Sequence, residues 1–242
     1  MDRRLRWAGC LNVRDLGGLP TNDGHRIRSG ALIRSDSPHW LSEQGMAAVR
    51  AVPVRLVLDL RSADEVERDP SPFVDSTAYR LLPLIDPSRE HERDPDDERS
   101  HPATYIGSLR RNRERIAAAV AEIADAPDGA VLVHCHSGKD RTGIVVALVL
   151  RMAGVDPEHI AVDYALSAQC LQERSDQWLA AIDDERERAR EREMARTDPE
   201  TMVEFLHALD EQYGGVESYL LDIGVSPERL DRLRERLLDQ VD

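Results

Sequence analysis

The sequence is poor in sulfur, aromatic rings and lysine. Only Cys10, Cys135 and Cys170 occur among its 242 residues, an odd number that builds no disulfide framework and points to a reducing compartment. Aromatic residues make up 4%, so the hydrophobic fraction of 41% rests on Leu, Val, Ile and Ala, which is enough for a globular core. No run approaches the ~18 apolar residues needed to cross a bilayer. A basic patch is missing as well. The net charge of −14 argues against nucleic acid or an anionic membrane surface as a partner. The opening residues MDRRLRWAGC carry charge but no apolar signal core, so the expectation is a cytoplasmic protein, with export lacking a cleaved signal left open. No repeat, low-complexity tract or linker divides the chain, and residues 1–242 read as one domain. Of the 32 Lys and Arg residues a single one, Lys139, is lysine. Against so strong a preference for arginine, a lysine there suggests a requirement for a compact ammonium.

Lys139 sits in the stretch around which the chain is organised, Val131-Leu132-Val133-His134-Cys135-His136-Ser137-Gly138-Lys139-Asp140-Arg141-Thr142-Gly143. The apolar run from Ala130 reads as a buried strand, and Ile144 to Met152, apolar on every side, as a buried helix. Between them lies a tight polar loop. Its N–H groups can converge on an anion, which the helix N-terminus also favours. The same field favours the thiolate of Cys135. Six residues on, Arg141 offers a planar fork suited to two phosphate oxygens at once. Other uses of the stretch fit less well. A nucleotide-binding P-loop needs Ser or Thr after Gly-Lys, where Asp140 stands, and the adjacent His134, Cys135 and His136 lack the spacing of a tetrahedral metal site.

The loop HCHSGKDRTG resembles the signature of the cysteine-dependent protein tyrosine phosphatase superfamily, in a bacterial branch acting on phosphotyrosine, phosphoserine or phosphothreonine, and phosphoinositides. The resemblance extends to Asn12-Val13-Arg14-Asp15-Leu16-Gly17-Gly18, to Arg34-Ser35 and to Asp59-Leu60-Arg61-Ser62 with Glu65. It implies an α/β fold with a central, mostly parallel sheet flanked by helices. It also implies two-step phosphoryl transfer. Cys135 is then the nucleophile; Arg141 holds the phosphate with the loop from His136 through Ser137, Gly138, Lys139 and Asp140. Thr142 would donate to the cysteine sulfur, and His134 would orient the Cys135 backbone. No metal or organic cofactor is required. For the general acid, the branch points to an Asp after a Leu-Pro strand end, here Asp86, with Asp140 and then Asp59 as alternatives. A phosphorylated protein, lipid or small molecule is the expected substrate. A phosphatase of sugar or nucleoside monophosphates and a silent phosphate-binding module are the other readings of the chain.

Along the rest of the chain, pattern predicts helices over 43–51, 63–68 and 103–124, strands over 54–60 and 78–84, and an irregular loop over 87–101. Local pairs Arg14–Asp15 and Arg61–Glu65 are expected to brace their turns. A helix from Asp156-Pro157 to about Ala168 is followed by a charge-dense helical stretch, Gln172 to Arg196, with few apolar residues. Residues 170–214 are therefore a candidate helical lid, with Trp178, Leu179, Ile182, Met194 and Phe205 on its thin apolar face. Further helices are expected over 199–213, 216–223 and 227–238.

Overall fold

Five strands form one sheet: β1 (Arg14–Asp15), β2 (Leu32–Ser35), β3 (Val54–Asp59), β4 (Tyr79–Leu81) and β5 (Ala130–His134), in the order β1-β2-β5-β3-β4. The computed structural model describes residues 3–239. All pairings are parallel except β1 with β2. β5 is buried along its whole length, which is why it is apolar without alternation. It inserts between two strands that precede it in the chain, and its register sets Ser35 and Asp59 on either side of His134. The carboxyl ends of three strands thus finish level, at the kind of crossover where open α/β sheets form their clefts.

Around the sheet lie α1 (Glu43–Arg50), α2 (Ala63–Arg68), α3 (His101–Arg111), α4 (Arg113–Asp125), α5 (Asp140–Met152), α6 (Pro157–Ala180), α7 (Glu185–Ala195), α8 (Pro199–Tyr213), α9 (Val216–Asp222) and α10 (Pro227–Leu237). Strand side chains alternate between two cores. Leu58, Val131 and Val133 join the larger one with α4, α5, α8 and α10, while Ile33, Val57 and Leu132 face a smaller one with Trp7 and Val49. α5 lies inside the larger core, with Ile144 to Leu150 buried throughout. The fold is the mixed α/β architecture expected.

Several elements differ from expectation, each for a local reason. The 103–124 helix is two helices, broken at Asn112 (φ −112°, ψ 28°). There the Asn112 side chain donates to the Ser108 carbonyl at 3.0 Å and accepts from the Asp86 N–H at 2.8 Å. β4 covers only Tyr79–Leu81 of the predicted 78–84, and Pro83 beyond it brings no N–H to a ladder. The 87–101 loop contains a 3₁₀ turn, Pro87–Glu92, and is tied down by Glu98, which pairs with Arg111 and Arg93. α6 runs without a break past Ala168 to Ala180. α8 is core: Met202, Phe205, Leu206 and Leu209 are fully buried. Phe205 packs edge-on to Tyr105 and is no part of a lid face. Only the end of α6, α7 and residues up to about 197 remain as the candidate covering segment.

Candidate active site

Cys135 follows β5 directly and is 1% exposed. The N–H groups of His136, Ser137, Gly138 and Lys139 after it donate to no protein atom among the described residues. Gly138 makes this course possible. Its φ is +68°, and a Cβ there would lie 2.2 Å from the Ser35 carbonyl oxygen of β2. α5 then starts at Asp140, so its N-terminus opens onto the loop.

Arg141, in the first turn of α5, forms a two-pronged pair with Glu65, Nη1 to Oε2 at 2.5 Å and Nη2 to Oε1 at 2.8 Å. Glu65 reaches it from α2, where its carboxylate also accepts from the Ser62 N–H in a capping box. Burial disfavours the Glu65 charge. The Arg141 and Ser62 hydrogen bonds outweigh it and hold the carboxyl down to about 2. Arg141 also interacts electrostatically with Cys135, and its own proton is held more firmly than usual despite burial. The expected Arg61–Glu65 pair is therefore not formed. Arg61 grips Asp59 instead, Nη2 to Oδ2 at 2.7 Å, and frees Glu65 for the loop. Glu65→Gln should keep the cap but lose the charge, and lower kcat/KM by about 10-fold or more. An unchanged kcat/KM would leave the pair with no part in turnover. Because its carboxyl lies below the unfolded value, the contribution of Glu65 is complete above about pH 5 and disappears only as pH falls through about 2. An acid limb in the activity profile near pH 5 must come from another group.

The three candidate acids occupy different settings. Asp59 is buried, with Arg61 and the Tyr79 hydroxyl on its oxygens and His134 Nε2 at 3.7 Å. Asp86 caps the 3₁₀ turn, accepting from the Ser88 N–H at 2.9 Å and the Ser88 hydroxyl at 2.7 Å. These two bonds hold its carboxyl below the usual range. Asp140 receives the Tyr105 hydroxyl at 2.6 Å and has Lys139 Nζ at 3.5 Å. His134 is fully buried; its Nδ1 donates to the Cys135 carbonyl at 3.1 Å, and burial pushes the ring's proton affinity below that of a free imidazole. Thr142 Oγ1 is buried, has no hydrogen-bond partner among the described residues and forms no bond to the cysteine sulfur. Lys139 does not point its ammonium at the loop amides. Nζ donates to the carbonyls of Met194 at 2.6 Å and Arg196 at 3.3 Å, which end α7. The rare ammonium joins the loop to the covering segment.

A cavity of about 550 Å³ opens over the loop. Its lining includes His136, Ser137, Lys139 and Asp140 of the loop together with Trp40, Leu171, Arg174 and Trp178. The Arg174 guanidinium stacks on Trp40 at 4.4 Å and pairs with Asp36 at 2.9 Å. Asp86 is not among the lining residues, and neither are Cys135 and Arg141. A second cavity of about 610 Å³, between α3, α8 and the 92–100 stretch, is lined by Glu92, Asp94, Asp97, Glu98 and Glu204 and by Arg110 and Arg111. It includes no residue of the loop, and its carboxylates outnumber its arginines, which disfavours a phosphate. Among the described residues no cluster of three or more His, Cys, Asp or Glu is arranged to hold a metal ion.

The chain matches the tyrosine phosphatase family over residues 5–239, and is 33% identical to a tyrosine-protein phosphatase of Nostoc commune over 87% of this chain and 75% of that one. The chain belongs to the tyrosine phosphatase family. It is also 29% identical to the triple specificity protein phosphatase PtpB of Mycobacterium tuberculosis, over 95% of this chain and 97% of the relative. In this tyrosine phosphatase family member, sequence reasoning missed Glu65 as the partner of Arg141, although the Ser62–Glu65 spacing was visible. It also missed Tyr105, whose hydroxyl donates to Asp140, and Trp40 and Arg174 at the cavity. Arg14 was expected to pair with Asp15. Instead it binds Asp163 of α6, and Asp15 accepts from the N–H groups of Gly17 and Gly30. The available signal was Asp163 itself, a carboxylate on the buried stripe Ile160, Tyr164, Ser167 of α6.

Proposed function

We propose that Cys135 attacks the phosphorus of a phosphate monoester and carries the phosphoryl group as phosphocysteine until water releases it. The observation that most supports this is a buried cysteine at the floor of a loop whose N–H groups lack protein partners, beside an arginine fixed by Glu65. In the first step the S–P bond forms as the bond to the leaving oxygen breaks, and that oxygen takes a proton from an acid. In the second, the same group takes a proton from water as the water oxygen attacks phosphorus, and the thiolate leaves. The loop N–H groups and Arg141 meet the charge on the equatorial oxygens in both steps.

Asp140 is the acid we propose in preference to Asp86. It lines the cavity, whereas both polar contacts of Asp86 turn its carboxylate to Ser88. Asp59 is sealed by Arg61 and Tyr79. The tryptophan walls suit a flat ring, and phosphotyrosine is the leading substrate, with phosphoserine, phosphothreonine and phosphoinositides beside it. The breadth stated in the name of the mycobacterial relative supports that range. The covering segment, fastened by Lys139, acts as a lid over the cavity.

The test is to quench turnover of a phosphotyrosine peptide in acid and map the adduct by mass spectrometry. A phosphoryl group on Cys135 is expected. Turnover with no adduct there, under conditions that preserve phosphocysteine, would overturn the mechanism. A panel of phosphopeptides, phosphoinositides and sugar monophosphates ranks the substrates.

A further inference from the structure

We propose that Asn12 and Arg34 are positioning residues that set which way the peptide units of the phosphate loop face. This rests on the loop being the phosphate cradle. A peptide unit is planar, with its C=O and the following N–H on opposite sides. Whatever captures a carbonyl therefore also aims the next N–H away from itself. In this loop the carbonyls are captured one after another from the protein side. His136 O accepts from the Ser37 N–H at 2.9 Å, Ser137 O from Asn12 Nδ2 at 3.0 Å, and Gly138 O from Arg34 Nη2 at 2.7 Å. Lys139 O accepts from the Gly143 N–H at 2.8 Å, with Arg34 Nη2 at 3.4 Å. The N–H groups of Ser137, Gly138 and Lys139, left without protein partners, are the opposite ends of those same units. Asn12 thus aims the N–H of Gly138, and Arg34 that of Lys139.

Both residues are held in turn. Asn12 Oδ1 accepts from Arg14 Nη1 at 2.6 Å, Arg14 Nε donates to Asp163 Oδ1 at 3.0 Å, and Arg34 Nη1 to Asp163 Oδ2 at 2.9 Å. Asn12, Arg14, Arg34 and Asp163 are all at most 1% exposed, so no water competes for these bonds. Burial works against the Asp163 charge, but Arg14, Arg34 and Arg3 bring its carboxyl down to about 2. Burial and the nearby Arg14 lower Arg34 only to about 10, so it keeps its charge at neutral pH. Asp163 therefore faces more than one cation. The surplus positive charge lies beneath the loop, where Arg34 interacts electrostatically with Cys135. The anchor is on α6, which continues to Leu171, Arg174 and Trp178 at the cavity wall. Loop posture and cavity wall share one support.

Two variants isolate the Asn12 donor. Asn12→Asp keeps the oxygen that Arg14 needs and turns the donor to Ser137 into an acceptor. Asn12→Leu removes the donor without adding charge, at the cost of the oxygen that Arg14 uses, so the donor is the loss the two variants share. Calorimetry with inorganic phosphate and steady-state kinetics on an aryl phosphate are run on both, with thermal unfolding as a check on folding. Losing one aimed donor typically lowers kcat by about 10²–10³-fold. Both variants are expected to fall in kcat by about 10²-fold and to bind phosphate about 10-fold more weakly per folded molecule. A residue that only supports the fold would lower the unfolding temperature or the folded fraction and leave the phosphate affinity of the folded protein unchanged. Arg34→Lys gives the second arm and serves if the Asn12 variants do not fold. It keeps a cation for Asp163 but loses the fork that reaches Gly138, and the same two losses are expected. Native protein that binds no phosphate overturns the cradle and the positioning role together. Native binding with folded variants within twofold of it in both phosphate affinity and kcat overturns the positioning role alone.

Discussion

Cys135→Ser is expected to lose turnover by roughly 10⁵–10⁶-fold, the scale seen when a nucleophile is removed, and still to bind inorganic phosphate. The two expectations follow from different parts of the site. Serine matches cysteine in shape, but its hydroxyl holds its proton at neutral pH, and no base lies against it. His134 is turned away, its Nδ1 on the Cys135 carbonyl and its Nε2 toward Asp59. In the proposed mechanism phosphate is held by the N–H groups of His136 to Lys139 and by Arg141, and the substitution touches none of them. Serine fills the same place in the loop, so phosphate should bind about as tightly as to the native chain. Phosphate calorimetry and single-turnover kinetics on both proteins measure the separation. Turnover within 10-fold of native by the serine variant would end the role of Cys135 as nucleophile.

Much of the fold was legible because its signals are local. The uninterrupted apolar run of β5, the all-round apolar α5 and the Ser42 cap of α1 each name their element from a few adjacent residues. The break at Asn112 was not legible. It depends on a side chain that bonds back to Ser108 and across to Asp86, and only the folded chain makes the second contact. The same distinction runs through the site. The loop could be read from its own residues, whereas its supports come from distant positions: Glu65 for Arg141, Asn12 and Arg34 for the carbonyls, Tyr105 for Asp140. Arginine-rich sequence adds its own ambiguity. Arg14 and Arg61 each have an acidic neighbour at short spacing, and neither uses the one that helical or turn spacing suggested. Phe205 misled because the charged stretch before it ends at Asp198-Pro199, where a new and deeply buried helix begins.

Asp140→Asn is expected to slow an alkyl phosphate by about 10²–10⁴-fold, the usual range for general acid catalysis, and an aryl phosphate with an acidic phenol far less. An alkoxide leaves poorly without a proton, so the acid matters most there. An acidic phenolate departs unaided. Asparagine fits the test, since its carbonyl still accepts the Tyr105 hydroxyl and only the transferable proton is lost. Asp86→Asn is the comparator. Its carboxylate is spent on Ser88 at the start of a surface 3₁₀ turn, and the bonds that hold it low keep it ionised at the pH of turnover. Both substrates should then be turned over within about twofold of native, apart from any loosening of the turn. Measuring kcat on the two substrates for the two variants gives a difference of ratios in which general loss of folded enzyme cancels. A leaving-group-dependent loss in Asp86→Asn, with none in Asp140→Asn, would move the proton to Asp86 and require the 86–92 turn to swing over the cavity. Equal losses on both substrates in Asp140→Asn would leave it a partner of Tyr105 and Lys139, holding the mouth of α5 and transferring no proton.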